Sequence, residues 1–130
     1  MIFSLLILGA PYSSQSVKTA LRFANASIET GNSIYRIFFY HEAVNSGNEL
    51  LTPPQDEIHI PNEWQAMARD NSIDLVVCIA SALKRGVLDS TEADRYEKPA
   101  SNLAPNFNLS GLGQLIDASV KSDRLITFGP

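Results

Sequence analysis

The segment Ile2 to Leu8 is apolar at every position except Ser4, and it ends at Gly9. A strand with no wet face belongs in a parallel sheet covered by helices on both sides, because an antiparallel strand at a surface would alternate apolar with polar. The rest of the chain keeps that rhythm. Gly9-Ala10-Pro11-Tyr12-Ser13 reads as a loop, and Ser14 as a cap for the helix that follows. Val17, Ala20, Leu21, Ala24 and Ile28 recur at helical spacing, and Gly31 supplies a stop. Ile34 to Tyr40 is a second strand, rich in Ile, Phe and Tyr. His41 to Gln55 is polar, holds Gly47 and Pro53-Pro54, and reads as a loop or short irregular helix.

Pro61 can open the next helix, on which Trp64, Met67 and Ala68 fall three and four apart, with Asp70-Asn71-Ser72 at its end. Ile73 to Ile79 is a third strand. Ala80 to Asn106 reads as short helical pieces and loops, and Phe107 to Leu109 as a short extended piece. Ser110 is expected to cap a helix whose apolar face is Leu112, Leu115, Ile116 and Val120, and Arg124 to Phe128 is a last strand. Strand and helix in alternation predict an α/β domain of three layers, with a mainly parallel sheet and right-handed crossovers. With 130 residues the expectation is one domain over residues 1–130. A chain of this size hides roughly two-thirds of its unfolded surface, enough for a core without metal or disulfide staples.

Composition excludes several classes. Apolar residues are 45% and charged residues 18%, which suits a folded globule and not a disordered tail. The net charge is -4 and no dense basic stripe occurs, so direct grip on nucleic acid is not expected. One cysteine does not make a disulfide scaffold and fits a reducing compartment. The opening MIFSLLILGA has no Lys or Arg before it and is too short to span a bilayer, so it reads as a buried strand and not a signal peptide. The expected location is cytoplasmic, away from membranes.

Sites in open parallel sheets form at the carboxyl edge of the strands. The Gly9–Ser14 loop, the His41–Glu42 region and Cys78 share that edge. Cys78 closes the run Leu75-Val76-Val77-Cys78-Ile79. A lone thiol can be a buried filler, a nucleophile, or a carrier that holds one sulfur atom and passes it on. The small, helix-compatible residues after it allow a helical turn to begin there, whose unpaired N–H groups favour a thiolate, and Lys84 and Arg85 within a turn or two would act the same way. The bland reading of that pair is a solvated helix end.

Other chemistry is sparse. His41 could approach the sheet edge and His59 lies in a polar segment, but nothing in the sequence supports a Cys-His protease pair. The same shortage argues against a zinc site. Gly111-Leu112-Gly113 lacks the third glycine and the long preceding strand of a dinucleotide fingerprint. The Ser13–Ser16 turn is loosely similar to the hydroxyl-rich loops that bind a flavin phosphate in flavodoxins, although serines there also cap helices. No cofactor is expected.

Four segments together carry a family likeness: ILGAPYSSQS after the first strand, FFYHEAV after the second, CIASALKRGVLD around the cysteine, and NFNLSGLGQLIDAS with DRLITFG at the C-terminal end. The chain resembles the sulfur-acceptor subunits of the DsrE/DsrF-like family of sulfur-relay proteins, nearly end to end. The cysteine block and LSGLGQL are the specific parts. Ser81 and Lys84 stand where Ala and Arg are expected, and both changes keep size or charge. The resemblance implies a persulfide carrier and therefore a sulfurtransferase. Cys78 would accept sulfane sulfur from a TusA-like donor and hand it to a TusE-like acceptor, for the 2-thio group of the wobble uridine in certain tRNAs. It further implies assembly with TusB-like and TusC-like subunits as a heterohexamer, a dimer of heterotrimers. Two alternatives stay open: a flavodoxin-like phosphate or flavin binder using the Gly9–Ser16 loop, and a DsrE-type subunit of oxidative sulfur metabolism. The carrier reading expects the Cys78 sulfur to be exposed at the rim of the sheet.

Overall fold

The computed structural model describes residues 1–130. Five strands, β1 (Ile2–Ile7), β2 (Ser33–Phe39), β3 (Asp74–Cys78), β4 (Phe107–Ser110) and β5 (Arg124–Phe128), form one sheet in the order β4-β3-β2-β1-β5. Every pairing is parallel. The helices are α1 (Ser16–Glu29), α2 (Ile60–Asn71), α3 (Ile79–Lys84), α4 (Ser90–Arg95) and α5 (Gly113–Lys121), with a 3-10 turn at His41–Gly47. No helix is long and apolar enough to cross a membrane.

The strand order explains the layering. From β1 to β4 the chain moves steadily to one edge, and the residues of α1 and α2 pack on one face. The connection from β4 returns across the whole sheet to β5, and it carries α5 over the opposite face. The first face holds Leu5, Ile7, Ile37, Phe39, Leu75 and Val77 against Val17, Ala20 and Leu21 of α1 and Ile60, Trp64 and Met67 of α2. Phe39 meets Trp64 edge-on at 5.4 Å and Phe107 at 5.6 Å between ring centroids, the arrangement that aromatic quadrupoles favour.

Helix boundaries follow local chemistry. The expected cap Ser14 stands one residue early: Gln15 is the N-cap of α1 and makes no side-chain capping bond, while the Ser14 hydroxyl accepts the Ser16 N–H at 3.1 Å in the turn that leads in. Gly31 takes φ +89, a conformation only glycine adopts without cost, where α1 stops. His59 caps α2, its Nδ1 accepting the Asn62 N–H at 3.3 Å, and Pro61 sits in the first turn as expected.

Two expectations fail in the last third of the chain. Ser110 does not cap α5; it is the final residue of β4, and α5 starts three residues later. The stripe Leu112, Leu115, Ile116 and Val120 is not a buried face either. Leu112, Ile116 and Val120 are 47%, 66% and 75% exposed, and only Ala118 of α5 is fully buried. The helix is amphipathic as its spacing required, and polar bonds from Tyr35 and Arg36 also tie it to the sheet.

Candidate functional site

Cys78 is the last residue of β3 and the residue before α3, so the helical turn expected after it does form. The pleat sends Leu75 and Val77 to the α1/α2 face and Val76 and Cys78 to the α5 face. There Cys78 joins a small cluster with Phe38 and Val76, against which Leu6, Tyr40 and Leu115 pack. Its register partner on β4 is Ser110, where the chain turns toward α5. Cys78 is therefore at the carboxyl edge of the sheet, as the sequence implied, but it is only 3% exposed. The expectation of a thiol open at the rim is not met in this chain. Leu6, Tyr40 and Leu115 pack on the cluster that holds Cys78, at a position that the strand pattern alone leaves at the edge.

The cations expected to tune the thiol are engaged elsewhere. Arg85 donates from Nε to Glu42 Oε1 at 2.6 Å and from its terminal nitrogen to the Ser81 carbonyl at 3.2 Å. Lys84 lines a cleft of about 750 Å³ with Lys98, Tyr96, Leu83 and Leu88, and Cys78 is not part of its wall. Lys84 and Arg85 stand at the far end of α3, more than a turn and a half beyond Cys78. His41 comes nearer. Its imidazole stacks nearly parallel on Tyr40 at 4.2 Å, and Tyr40 packs on the Cys78 cluster. His59 is occupied as a helix cap.

The Gly9–Ser16 loop is closed on itself. Ser14 Oγ donates to Ser16 Oγ at 3.1 Å and also accepts the Ser16 N–H. A Cβ at Gly9 would collide with both hydroxyls, so the glycine is required by their close approach. Hydroxyls held this way satisfy each other within the turn and do not form an open phosphate cradle, which favours the structural reading of these serines over the flavin one.

One group of residues lay outside the sequence reading. Arg36, in the middle of β2, points to the α5 face with a side chain 9% exposed. Its Nε donates to Asp74 at 2.7 Å, and its terminal nitrogen donates to Asp117 and to the Gln114 carbonyl of α5, each at 2.8 Å. Tyr35 donates its hydroxyl to the same Asp117 oxygen at 2.7 Å. A β-bulge makes this possible. Phe3 pairs with Ile34 and Ser4 with Arg36, which leaves Tyr35 as the extra residue and resets the alternation. The hydrogen bonds from Tyr35 and then Arg36 hold the Asp117 carboxyl below its usual range. The bond to Asp117, with some burial, holds the Tyr35 phenol above its own. Burial opposes the charge on Arg36, but the bonds to Asp74 and Asp117 outweigh it and its pKa rises. The signal was present in the sequence: a guanidinium inside an apolar strand must find partners.

The chain matches the model of the DsrE/DsrF-like family over residues 1–128. It is 47% identical over 129 residues to a DsrE protein of Allochromatium vinosum, covering 99% of each chain. It is 43% identical to a protein of Pseudomonas aeruginosa named as a homolog of the sulfurtransferase TusD, covering 99% of this chain and 98% of that one. The sulfurtransferase TusD of Salmonella enteritidis is 40% identical over 98% of this chain and all of its own. Among solved structures, the ychN protein from E. coli superposes with a TM-score of 0.76 at 21% identity, over 98% of this chain and 100% of that one.

Proposed function

This chain belongs to the DsrE/DsrF-like family, and on that premise we propose that it is a sulfurtransferase that carries sulfane sulfur as a persulfide on Cys78. Relatives at 40% and 43% identity over nearly full length carry the sulfurtransferase name, which supports sulfur transfer as the reaction class. The observation that supports Cys78 as the carrier is its position: the only thiol ends a strand at the carboxyl edge of a parallel sheet and directly precedes a helix. The unpaired amides of a first helical turn favour negative charge beside them.

The chemistry is two balanced exchanges with no net oxidation or reduction. The Cys78 thiolate attacks the outer sulfur of a donor persulfide. A new S–S bond forms at Cys78, the S–S bond of the donor breaks, and the donor leaves as a thiolate. The terminal sulfur keeps its proton and becomes the outer atom of the Cys78 persulfide. An acceptor thiolate then attacks that outer atom and regenerates the Cys78 thiolate. One cysteine suffices, because each resolving thiol belongs to the next protein. The finer reading is a TusA-like donor, a TusE-like acceptor, TusB-like and TusC-like neighbours in a heterohexamer, and tRNA wobble-uridine 2-thiolation as the destination. The negative net charge accords with a subunit that does not bind tRNA itself.

A second reading, a DsrE-type subunit of oxidative sulfur metabolism, is favoured by the 47% identity to the Allochromatium vinosum DsrE protein. Deletion of the gene separates them: loss of 2-thiouridine in digested tRNA supports thiolation, and loss of sulfur oxidation with intact tRNA supports the alternative. Within either pathway, Cys78→Ser is expected to fold normally and to abolish sulfur relay. Full relay by that variant would remove Cys78 from the mechanism.

A further inference from the structure

The carrier reading meets a geometric obstacle. Sulfur exchange requires the attacking and attacked sulfurs to come into contact, and a thiol 3% exposed offers no approach. Some wall of the Cys78 cluster must move. Phe38, Val76 and Leu6 belong to β2, β3 and β1, whose ladders are bonded to neighbours. Tyr40 lies just past β2, but its N–H still donates to the Ile7 carbonyl at 2.9 Å. Leu115 is the one wall carried by a helix. That helix, α5, has a single fully buried residue, Ala118, and three exposed apolar ones. Its ion pair to the sheet is Arg36 with Asp117. It is entered through Gly111 and starts at Gly113, each with open space on the side where a Cβ would project. Elements with few buried contacts are the ones that open locally below the global unfolding limit.

We propose, resting on the carrier reading of Cys78, that the first turn of α5 is a lid on the thiol, with Leu115 as its seat and the Arg36–Asp117 pair as its latch. Leu115 is then a positioning residue for sulfur transfer: it decides when Cys78 can be reached. In the closed state the persulfide would be shielded from stray thiols. In the open state the sulfur faces a docked partner at the edge of the sheet, beside Ser110.

The test is the rate at which the native full chain reacts with iodoacetamide at Cys78, followed by intact mass at one fixed pH, with the urea-unfolded chain as ceiling. Leu115→Ala is expected to react about tenfold faster than wild type, because the wall shrinks without loss of the sheet. Leu115→Met should return the rate close to wild type, and Asp117→Ala should raise it with Leu115 still in place. Thermal unfolding of each variant separates lid opening from general destabilisation. The proposal is overturned if both Leu115→Ala and Asp117→Ala react at the wild-type rate, or if Tyr40→Ala accelerates the reaction and they do not. Should Leu115→Ala not fold, Asp117→Ala alone decides.

A parallel incubation with inorganic polysulfide keeps the two ideas apart. Opened variants that alkylate fast but gain no sulfur would end the carrier reading and leave the lid standing. Equal sulfur loading in wild type and variants would do the reverse.

Discussion

On the face of the sheet beneath α1 and α2, one contiguous cluster of 22 buried residues runs from β1 to β4. On the opposite face the cluster is three residues, Phe38, Val76 and Cys78, beneath a helix of nine. Both faces come from the same strands, so the difference lies in what the connections deliver. Three successive crossovers move to one edge, and α1 and α2 stack on one side. A single long return crossing supplies the other. The contrast teaches that this sheet keeps its large core on one side and its only thiol on the other. The thick face holds the geometry of β3, and on the thin face its last residue lies in a small cluster that one short helix helps to cover.

The comparison breaks most decisively on the thick face. Phe39→Ala removes a ring packed against Trp64 and Phe107 and should cost about 3–5 kcal/mol, read as a lower urea midpoint. An equal loss from Leu115→Ala would mean that the faces are not energetically distinct. The expected cost there is about 1 kcal/mol, since Leu115 is only partly buried. Smaller still is the effect of the outer α5 residues. Ile116→Glu and Val120→Lys should change the stability of the isolated chain by no more than about 0.5 kcal/mol.

Acid should also loosen the thin face selectively. The folded Asp117 carboxyl lies below its usual range, held there by Tyr35 and then Arg36. Its contribution is therefore present above the ordinary carboxylate range and is lost as pH falls through the lowered value. Amide resonances of α5 should broaden only below the ordinary carboxylate range, as Asp117 takes up its proton, while α1 and α2 stay ordered. Asp117→Ala should flatten that response. Simultaneous acid response in all three helices would deny α5 its separate anchorage.

Much of this was legible in the chain. Ile2–Leu8 announced a strand without a wet face, and β1, β2, β3 and β5 lie within a residue of where their apolar runs placed them. Glycine and proline marked the ends, as Gly31 and Pro61 show. The position of Cys78 on the sheet was also readable, because it follows from counting along β3. What could not be read was which residues cover the edge. Periodicity showed that Leu112, Leu115, Ile116 and Val120 share a side of α5, but whether the sheet covers that side depends on the return path from β4. Nearness in sequence placed Lys84 and Arg85 beside the thiol, while the turn of α3 and the Glu42 carboxylate took them elsewhere. The bulge at Tyr35 was hidden for the same reason, since it needs the partner strand to define it.

The most direct measurement of the central claim is the mass of the Cys78 peptide after the intact chain, or its assembly, meets a persulfide donor. The account predicts one added sulfur on that peptide, removable by a thiol acceptor, and none in Cys78→Ser. A chain whose Cys78 peptide stays unmodified in wild type and in the opened Leu115→Ala form, while relay proceeds, would contradict it.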